Sequence, residues 1–288
     1  MKFGVREICN VVFKAKAKTK IGSRVFEKNQ PVLYIDSAKT STLEGAATSV
    51  YATGGRGNTR LIAWEGEKTL TFTVEDALLS PVGFAILSGA GLIGGDSTAT
   101  GDVHVHTTST AQVIDGKIDL SGALDNEVIC ADAPIYVLAM EGDDFIGAPV
   151  AGTLEEGATT EVSVTGLDEG ATVFVDYYVT KPATDVSELQ IDAENFAGFY
   201  YVEASCLFRR NDGVDMPAEL TIPKVKIQSN FTFNMAATGD PSTFTFTMDA
   251  MPDYTMFNPN RKVLCAMQIV NDAIAGAGDI ETVFPCNH

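Results

Sequence analysis

The chain has 288 residues, of which 45% are hydrophobic, and its formal net charge is -18. A chain of this length and apolar content can bury a substantial core, as one large β domain or as two smaller units, which argues against disorder. The acidity argues against a protein that grips nucleic acid, because such proteins normally present a net basic surface.

The first forty residues predict a strand, a turn and a second strand. Residues 8–18 form the first strand, the turn lies near Gly22, and residues 31–36 form the second. Lysines occupy every second position from 14 to 20, so one strand would carry all four on the same face. That face is either solvated, as at a sheet edge protected by lysines, or it docks on an acidic neighbour.

A glycine-rich segment follows, and its density of glycine marks a mobile or tightly curved loop. Its residues are Gly54, Gly55, Arg56, Gly57 and Asn58. The segment lacks the Lys-Ser/Thr pair that a phosphate-binding loop needs. We therefore interpret it as a glycine hinge or as a loop that contacts another subunit.

Three short segments alternate apolar and small polar residues, at 70–74, 231–235 and 244–248. A period of two builds strands, with the phenylalanines and methionines buried on one face. A turn through residues 236–241 would join the second and third segments into a hairpin. The opposite, polar face is predicted to contain Thr71, Thr73, Thr232, Thr245 and Thr247.

One helix is clearly indicated after the first of these segments. Ser80 can cap it, Pro81 suits its first position and Gly89 can end it. Residues 89–94 match the GxGxxG string of dinucleotide-binding proteins, but that string must follow a strand and open a helix. Here it follows the helix, so we interpret it as a helix-ending loop and expect no cofactor.

Residues 97–197 alternate strand-like runs with turn signals, a pattern typical of a β sandwich or barrel. Residues 96–196 contain 20 of the 38 acidic residues and two lysines, so they carry the whole charge imbalance of the chain. This region is either an acidic β-rich insertion, for which an immunoglobulin-like fold is one option, or an elaboration of a single sheet. We favour the insertion.

No group of side chains suggests catalysis or metal binding. His104 and His106 would share a strand face, but a third ligand is missing. The five cysteines contain no CxxC pair and are interpreted as reduced thiols: Cys9, Cys130, Cys206, Cys265 and Cys286. We expect neither catalytic residues nor a metal site.

The absence of a signal-peptide core and of any run approaching the roughly 18 apolar residues of a membrane span favours folding in the cytoplasm, without a membrane partner.

Residues 40–46, 54–58, 70–81 and 238–250 together resemble bacteriophage virion proteins, and in particular the tail tube (major tail) proteins of long-tailed phages. The resemblance implies an all-β fold, mainly β with one short helix. A tail-tube-like β sandwich or barrel would comprise residues 1–96 and 198–288, and residues 97–197 would be an additional β-rich insertion, since a minimal tube protein lacks them.

The resemblance also implies a non-enzymatic function. Identical subunits would form hexameric rings that stack into a tube, through which DNA passes transiently and without sequence preference during ejection. Other tail proteins, including a sheath in contractile tails, would be partners in the virion, after synthesis and assembly in the host cytoplasm. Residues 54–58 would contact another subunit, and the threonine face would meet the lumen or solvent. The alternatives are another virion structural protein, such as a capsid or decoration protein, and a surface-binding β-sandwich module.

Overall fold

The computed structural model describes residues 2–5, 7–95, 97–124, 127–233, 235, 237–238 and 242–270. Over these ranges the chain is mainly β with one short α-helix, which confirms the predicted fold class. The chain divides into two compact units, one containing residues 1–92 and 189–288 and the other residues 93–188.

The strands and the helix have the following bounds. Up to the end of the first segment they are β1 (Phe3–Val5), β2 (Asn10–Ala15), β3 (Thr19–Ile21), β4 (Arg24–Phe26), β5 (Pro31–Ile35), β6 (Ala38–Gly54), β7 (Thr59–Asp76), α1 (Pro81–Ser88) and β8 (Gly91–Gly94). Next come β9 (Asp102–Gln112), β10 (Lys117–Asp119), a 3-10 turn (Ser121–Ala123), β11 (Val128–Ile129), β12 (Ile135–Glu141), β13 (Asp144–Leu154), β14 (Glu161–Ser163), β15 (Thr172–Pro182) and β16 (Ser187–Gln190). The last are β17 (Phe199–Arg210), β18 (Asp215–Ile227), β19 (Phe244–Ala250), β20 (Asp253–Thr255), β21 (Asn258–Val263) and β22 (Ala266–Ile269).

The first unit is built on one large antiparallel sheet with the strand order β5-β2-β17-β18-β19-β7-β6; in addition, β1 pairs with β17 and β22 with β18. Its apolar face forms the core. Phe13 on β2 and Phe246 on β19 are both fully buried, and their ring centroids lie 5.9 Å apart. Because β17 and β18 separate these strands in the sheet, the sheet must curl so that its apolar face closes on itself.

Helix α1 forms as the sequence predicts. The Ser80 hydroxyl accepts a hydrogen bond from the backbone N–H of Gly83 at 3.0 Å, and Pro81 occupies the first helical position. Gly89 ends the helix in the left-handed conformation, with φ at 77°, and its N–H donates to the carbonyl of Ala85 at 2.9 Å. Ile86, in the middle of the helix, is buried in the core of the sheet.

The alternating segment at 231–235 does not form a strand in its described residues, so that prediction is wrong. Phe231 instead packs against Phe84 of α1, with ring centroids 4.9 Å apart. Phe233 is 41% exposed and Met235 is 91% exposed, and Thr232 is exposed outside any strand. The two phenylalanines therefore pack on the Phe84 ring of the helix, and Phe233 also contacts Phe244 of β19. Part of the predicted turn at 236–241 lies outside the described residues.

The lysine-rich segment also differs from its prediction, since the strand ends at Ala15 rather than at residue 18. Lys14 forms an ion pair with Glu203, and Lys16 Nζ lies 2.8 Å from an Asp253 carboxylate oxygen. Lys18, which lies beyond the strand, forms an ion pair with Glu27. Carboxylates of the same unit therefore neutralise these lysines, which do not form one continuous basic stripe.

The second unit has an antiparallel sheet of its own, with the strand order β10-β14-β13-β12-β15-β11 and with β9 beside β15. The sheet curls into a half barrel. This unit has a separate core that includes Ile118, Val137 and Tyr177, all fully buried. Strands β8 and β16 form a separate two-stranded sheet.

Candidate assembly surfaces

The longest feature of the first unit is the hairpin of β6 and β7. The two strands pair from Ala38 opposite Asp76 to Gly54 opposite Thr59. Strand β19 pairs with β7 only over residues 71–76. Among the described residues, β6 and β7 therefore pair only with each other over residues 45–54 and 59–70. Residues 45–54 form one side of this ribbon, which extends about 33 Å at about 3.3 Å per residue.

The glycine-rich segment lies at the tip of the ribbon. Gly55, Gly57 and Asn58 all have positive φ angles, of 78°, 87° and 49°. The N–H of Asn58 donates to the carbonyl of Gly55 at 3.2 Å, which closes the turn. Glycine and, less often, asparagine are the residues that adopt this backbone conformation readily, which explains their presence in the turn. Arg56 is exposed at the tip, and Gly54 is the last residue of β6.

An apolar stripe runs along the outer part of this ribbon. Val50 lies directly opposite Trp64, and Ala52 lies opposite Ile62, so these side chains share one face. Val50, Ile62 and Trp64 are 62%, 54% and 52% exposed. A two-stranded hairpin is at best marginally stable in water by itself, so a ribbon with an exposed apolar stripe is suited to a partner. The sequence signal for this stripe was the group of apolar residues beside the glycine-rich segment. The alternation of strand residues alone did not predict that this group lies at the surface.

Strand β6 also supplies an open sheet edge. It has 17 residues and lies at one end of the strand order, where β7 is its one partner strand in the described chain. The other end of the sheet is β5, with five residues. The unpaired backbone groups of a long edge strand are a template for a strand from another chain. The β6 edge is therefore the second surface that favours association.

The polar sheet face comprises the threonines predicted for β7 and β19. Thr73 lies directly opposite Thr247, and Thr71 and Thr245 lie opposite carboxylate-bearing residues. These four side chains alternate with buried apolar residues and point away from the core. The structure thus brings Thr71, Thr73, Thr245 and Thr247 onto one face and leaves Thr232 outside it.

Carboxylates are interleaved with these hydroxyl groups. Glu75 accepts hydrogen bonds from the hydroxyls of Thr243 at 2.5 Å and Thr40 at 3.1 Å, which lower the pKa of the Glu75 carboxyl. Asp249 accepts from the Thr71 hydroxyl at 3.3 Å and from the Gln228 amide at 3.0 Å. Because the hydrogen bonds to Glu75 favour its ionised form, this face is hydrophilic and carries negative charge at neutral pH.

The two internal histidines lie on β9, and each has a polar neighbour on β15. His106 Nε2 lies 2.6 Å from an Asp176 carboxylate oxygen, and His104 Nδ1 lies 3.3 Å from the Thr180 hydroxyl. In the described part of the chain, no group of three or more His, Cys, Asp or Glu side chains could hold a metal ion. No helix within those same ranges is long and apolar enough to cross a membrane. The third histidine, His288, lies outside the described residues.

An open strand edge, an apolar ribbon and a hydroxyl-rich sheet face together define a structural protein suited to assembly. The comparison with protein families agrees, because the model of the YomU/Tube protein family matches residues 23–258. The chain belongs to this family of phage tail tube proteins, which are structural and non-enzymatic. Membership implies homo-oligomeric assembly into a tube and a location in the virion tail. No curated protein matches the chain.

Proposed function

We propose that this protein forms hexameric rings that stack into the tail tube and that DNA passes through their central channel during ejection. The observation that carries the proposal is the open β6 edge, which continues into the projecting ribbon. Six-fold closure comes from the resemblance to tail tube proteins. Head-to-tail contacts that close generate rings, and rings with complementary ends generate a tube.

Ring formation would remove the exposed sheet edges. In a head-to-tail ring, the β6 edge of one copy pairs with the β5 end of the sheet in the next copy. Each new ladder satisfies backbone N–H and C=O groups that otherwise face water and invite uncontrolled pairing. The subunits then form a continuous inter-subunit barrel, the arrangement that eliminates strand edges altogether.

The ribbon would contact a neighbouring subunit, through both its apolar stripe and its tip. Val50, Ile62 and Trp64 are each more than half exposed in the isolated chain. Full burial of a large apolar side chain contributes about 1.5 to 3 kcal/mol. Burial of these three side chains would therefore supply part of the binding free energy between subunits. The tip, Gly54 to Asn58, would add the Arg56 guanidinium as a polar anchor.

The polar face of β7 and β19 would line the channel. Thr73 and Thr247 present hydroxyl groups, and Glu75 and Asp249 present carboxylates. Such a surface is wetted by water and repels phosphate groups, so DNA can move along it without being held. The acidic region at residues 97–197 would provide solubility or contact other virion components, such as a sheath.

Electron microscopy and sedimentation of the purified full chain test the proposal. Rings of six subunits and tubes are expected, and a chain that stays monomeric over a range of concentrations would overturn it. Closed rings with a different subunit number would overturn the hexamer alone. A shell, or attachment to phage heads, would instead indicate a capsid or decoration protein.

A matched pair of variants tests the role of the ribbon. Ile62→Ser removes an apolar side chain from the stripe, whereas Leu78→Ser removes one that is 71% exposed elsewhere in the same unit. Both variants should keep the wild-type circular dichroism spectrum, but only Ile62→Ser should reduce tube formation. Arg56→Ala should likewise preserve the fold and weaken assembly. Equal tube yields from Ile62→Ser and Leu78→Ser would exclude the apolar stripe as a contact.

A further inference from the structure

Two thiols lie opposite each other in the core of the first unit. Strand β17 pairs with β2 in a register that places Ser205 opposite Asn10, and one step further this register sets Cys206 against Cys9. Both side chains enter the same core, 6% and 4% exposed, and both thiols are free. Opposed residues of antiparallel strands have Cα atoms about 4.5 or 5.5 Å apart. Either separation is one that a disulfide can span.

The local contacts make Cys9 the more acidic of the two thiols. A hydrogen bond with the Cys206 thiol lowers the pKa of the Cys9 thiol to about 7, against the opposing effect of burial. The Ser41 hydroxyl contributes to this lowering, and it also accepts a hydrogen bond from the Cys9 backbone N–H at 2.9 Å. The contact with Cys9 raises the pKa of Cys206. Because the thiolate is the nucleophile, Cys9 is the group that reacts first.

The position of Cys9 in the chain offers a route for a reagent to reach it. Cys9 immediately precedes β2, and Glu7 and Ile8 before it are exposed and belong to no strand. The ends of strands open locally at a lower free energy than their centres, so Cys9 can meet a small molecule without global unfolding. Cys206, by contrast, lies within the long central strand β17.

We propose that Cys9 and Cys206 form a cross-strand disulfide when the protein meets a small disulfide such as oxidised glutathione. The Cys9 thiolate attacks one sulfur of the oxidant, so that a mixed disulfide forms and one glutathione thiolate leaves. Cys206 then loses its proton and attacks the Cys9 sulfur, and the second glutathione thiolate leaves. The protein loses two protons and two electrons, and the two electrons reduce the oxidant to two thiolates.

The disulfide would tie the start of β2 to the central strand β17 and close a long loop of the chain. Cross-links that close long loops restrict the unfolded chain and so favour the folded state. Oxidation of a tube subunit would therefore raise its resistance to unfolding without changing its surface. The two side chains are buried, so the surfaces proposed for assembly remain as they are.

Peptide mapping of the native full chain tests the proposal. The protein is incubated with oxidised glutathione, alkylated and digested without reduction. Of its five thiols, two should be lost, and the peptides that contain Cys9 and Cys206 should be found joined, with a higher thermal midpoint that dithiothreitol reverses. A Cys9 that stays reduced, or that joins a different cysteine, would overturn the assignment.

Two single variants distinguish this pair from unspecific oxidation. In Cys206→Ser the reaction should stop at the first step, with glutathione bound to Cys9. Cys265→Ser, which removes a half-buried thiol elsewhere in the unit, should form the same cross-link as the wild type. Loss of the cross-link in Cys265→Ser would contradict the proposal, and so would an unmodified Cys9 in Cys206→Ser. Neither result depends on tube formation, so the proposal can fail separately from the proposed function.

Discussion

Replacement of Phe246 tests the assignment of the buried face of the sheet. Phe246 is fully buried on β19, directly opposite Val74, and its ring centroid lies 5.9 Å from that of Phe13. Truncation of a buried phenylalanine to alanine typically costs about 3 to 5 kcal/mol, through lost transfer free energy and the cavity that remains. Domains are stable by about 5 to 15 kcal/mol, so Phe246→Ala should leave the first unit folded but markedly weakened.

Phe246→Asp should be more severe. A carboxylate at this position would lie among apolar side chains, and Val74 and Phe13 offer it no hydrogen-bond donor. An unpaired buried charge costs more than the truncation alone, so the first unit should fail to fold. The same substitution at Phe233, which is 41% exposed, should be much milder, because its carboxylate can reach water.

Urea denaturation followed by circular dichroism measures both effects. Thr245→Ala is the matched control, since Thr245 precedes Phe246 on the same strand and is exposed on the opposite face. The control should change the free energy of unfolding by less than about 0.5 kcal/mol. Soluble Phe246→Asp protein with a wild-type unfolding midpoint would refute the assignment of this face to the core.

Three further predictions concern stability. Gly89→Ala should lower the thermal midpoint strongly, because φ is +77° and a Cβ atom would lie 2.3 Å from the backbone carbon of Phe196, whereas Gly4→Ala, which meets nothing within 4 Å, should have little effect. Ser80→Ala removes the cap of α1 and should cost about 1 kcal/mol in chemical denaturation. Burial, and repulsion from Glu203, raise the pKa of Glu219 from 4.5 to about 7. The folded state therefore binds this proton more tightly, and its contribution to stability is fully present below pH 4.5 and lost as the pH rises to 7. Glu219→Gln should flatten the stability profile in this window, and an unchanged profile would contradict the assigned cause.

Helix α1 shows how much local sequence signals can establish. Ser80, Pro81 and Gly89 act within one or two turns of the chain, and each occupies the position that the sequence predicted. The threonine face of β7 and β19 was predictable for a related reason, because side chains alternate along any strand. Residues 70–74 and 244–248 accordingly have the expected buried and polar sides.

The segment at 231–235 shows the limit of prediction from local sequence patterns. It has the same alternation as residues 244–248, yet its described residues form no strand, and Phe231 packs on Phe84 of the helix. The alternation indicates which side chains would share a face if the segment were a strand. A strand forms, however, only where a neighbouring strand supplies its backbone hydrogen bonds. The choice of neighbour depends on residues far away in the sequence.

The amino-acid sequence by itself determined the β class, the position and ends of the helix, and the hydroxyl-rich side of two strands. These features depend on contacts between residues close in the chain, whose geometry is the same in any fold. Only the tertiary structure decided that β6 and β7 extend beyond the sheet as a ribbon, and that Cys9 meets Cys206. Both outcomes depend on strand order and register, which result from the packing of distant segments rather than from local periodicity.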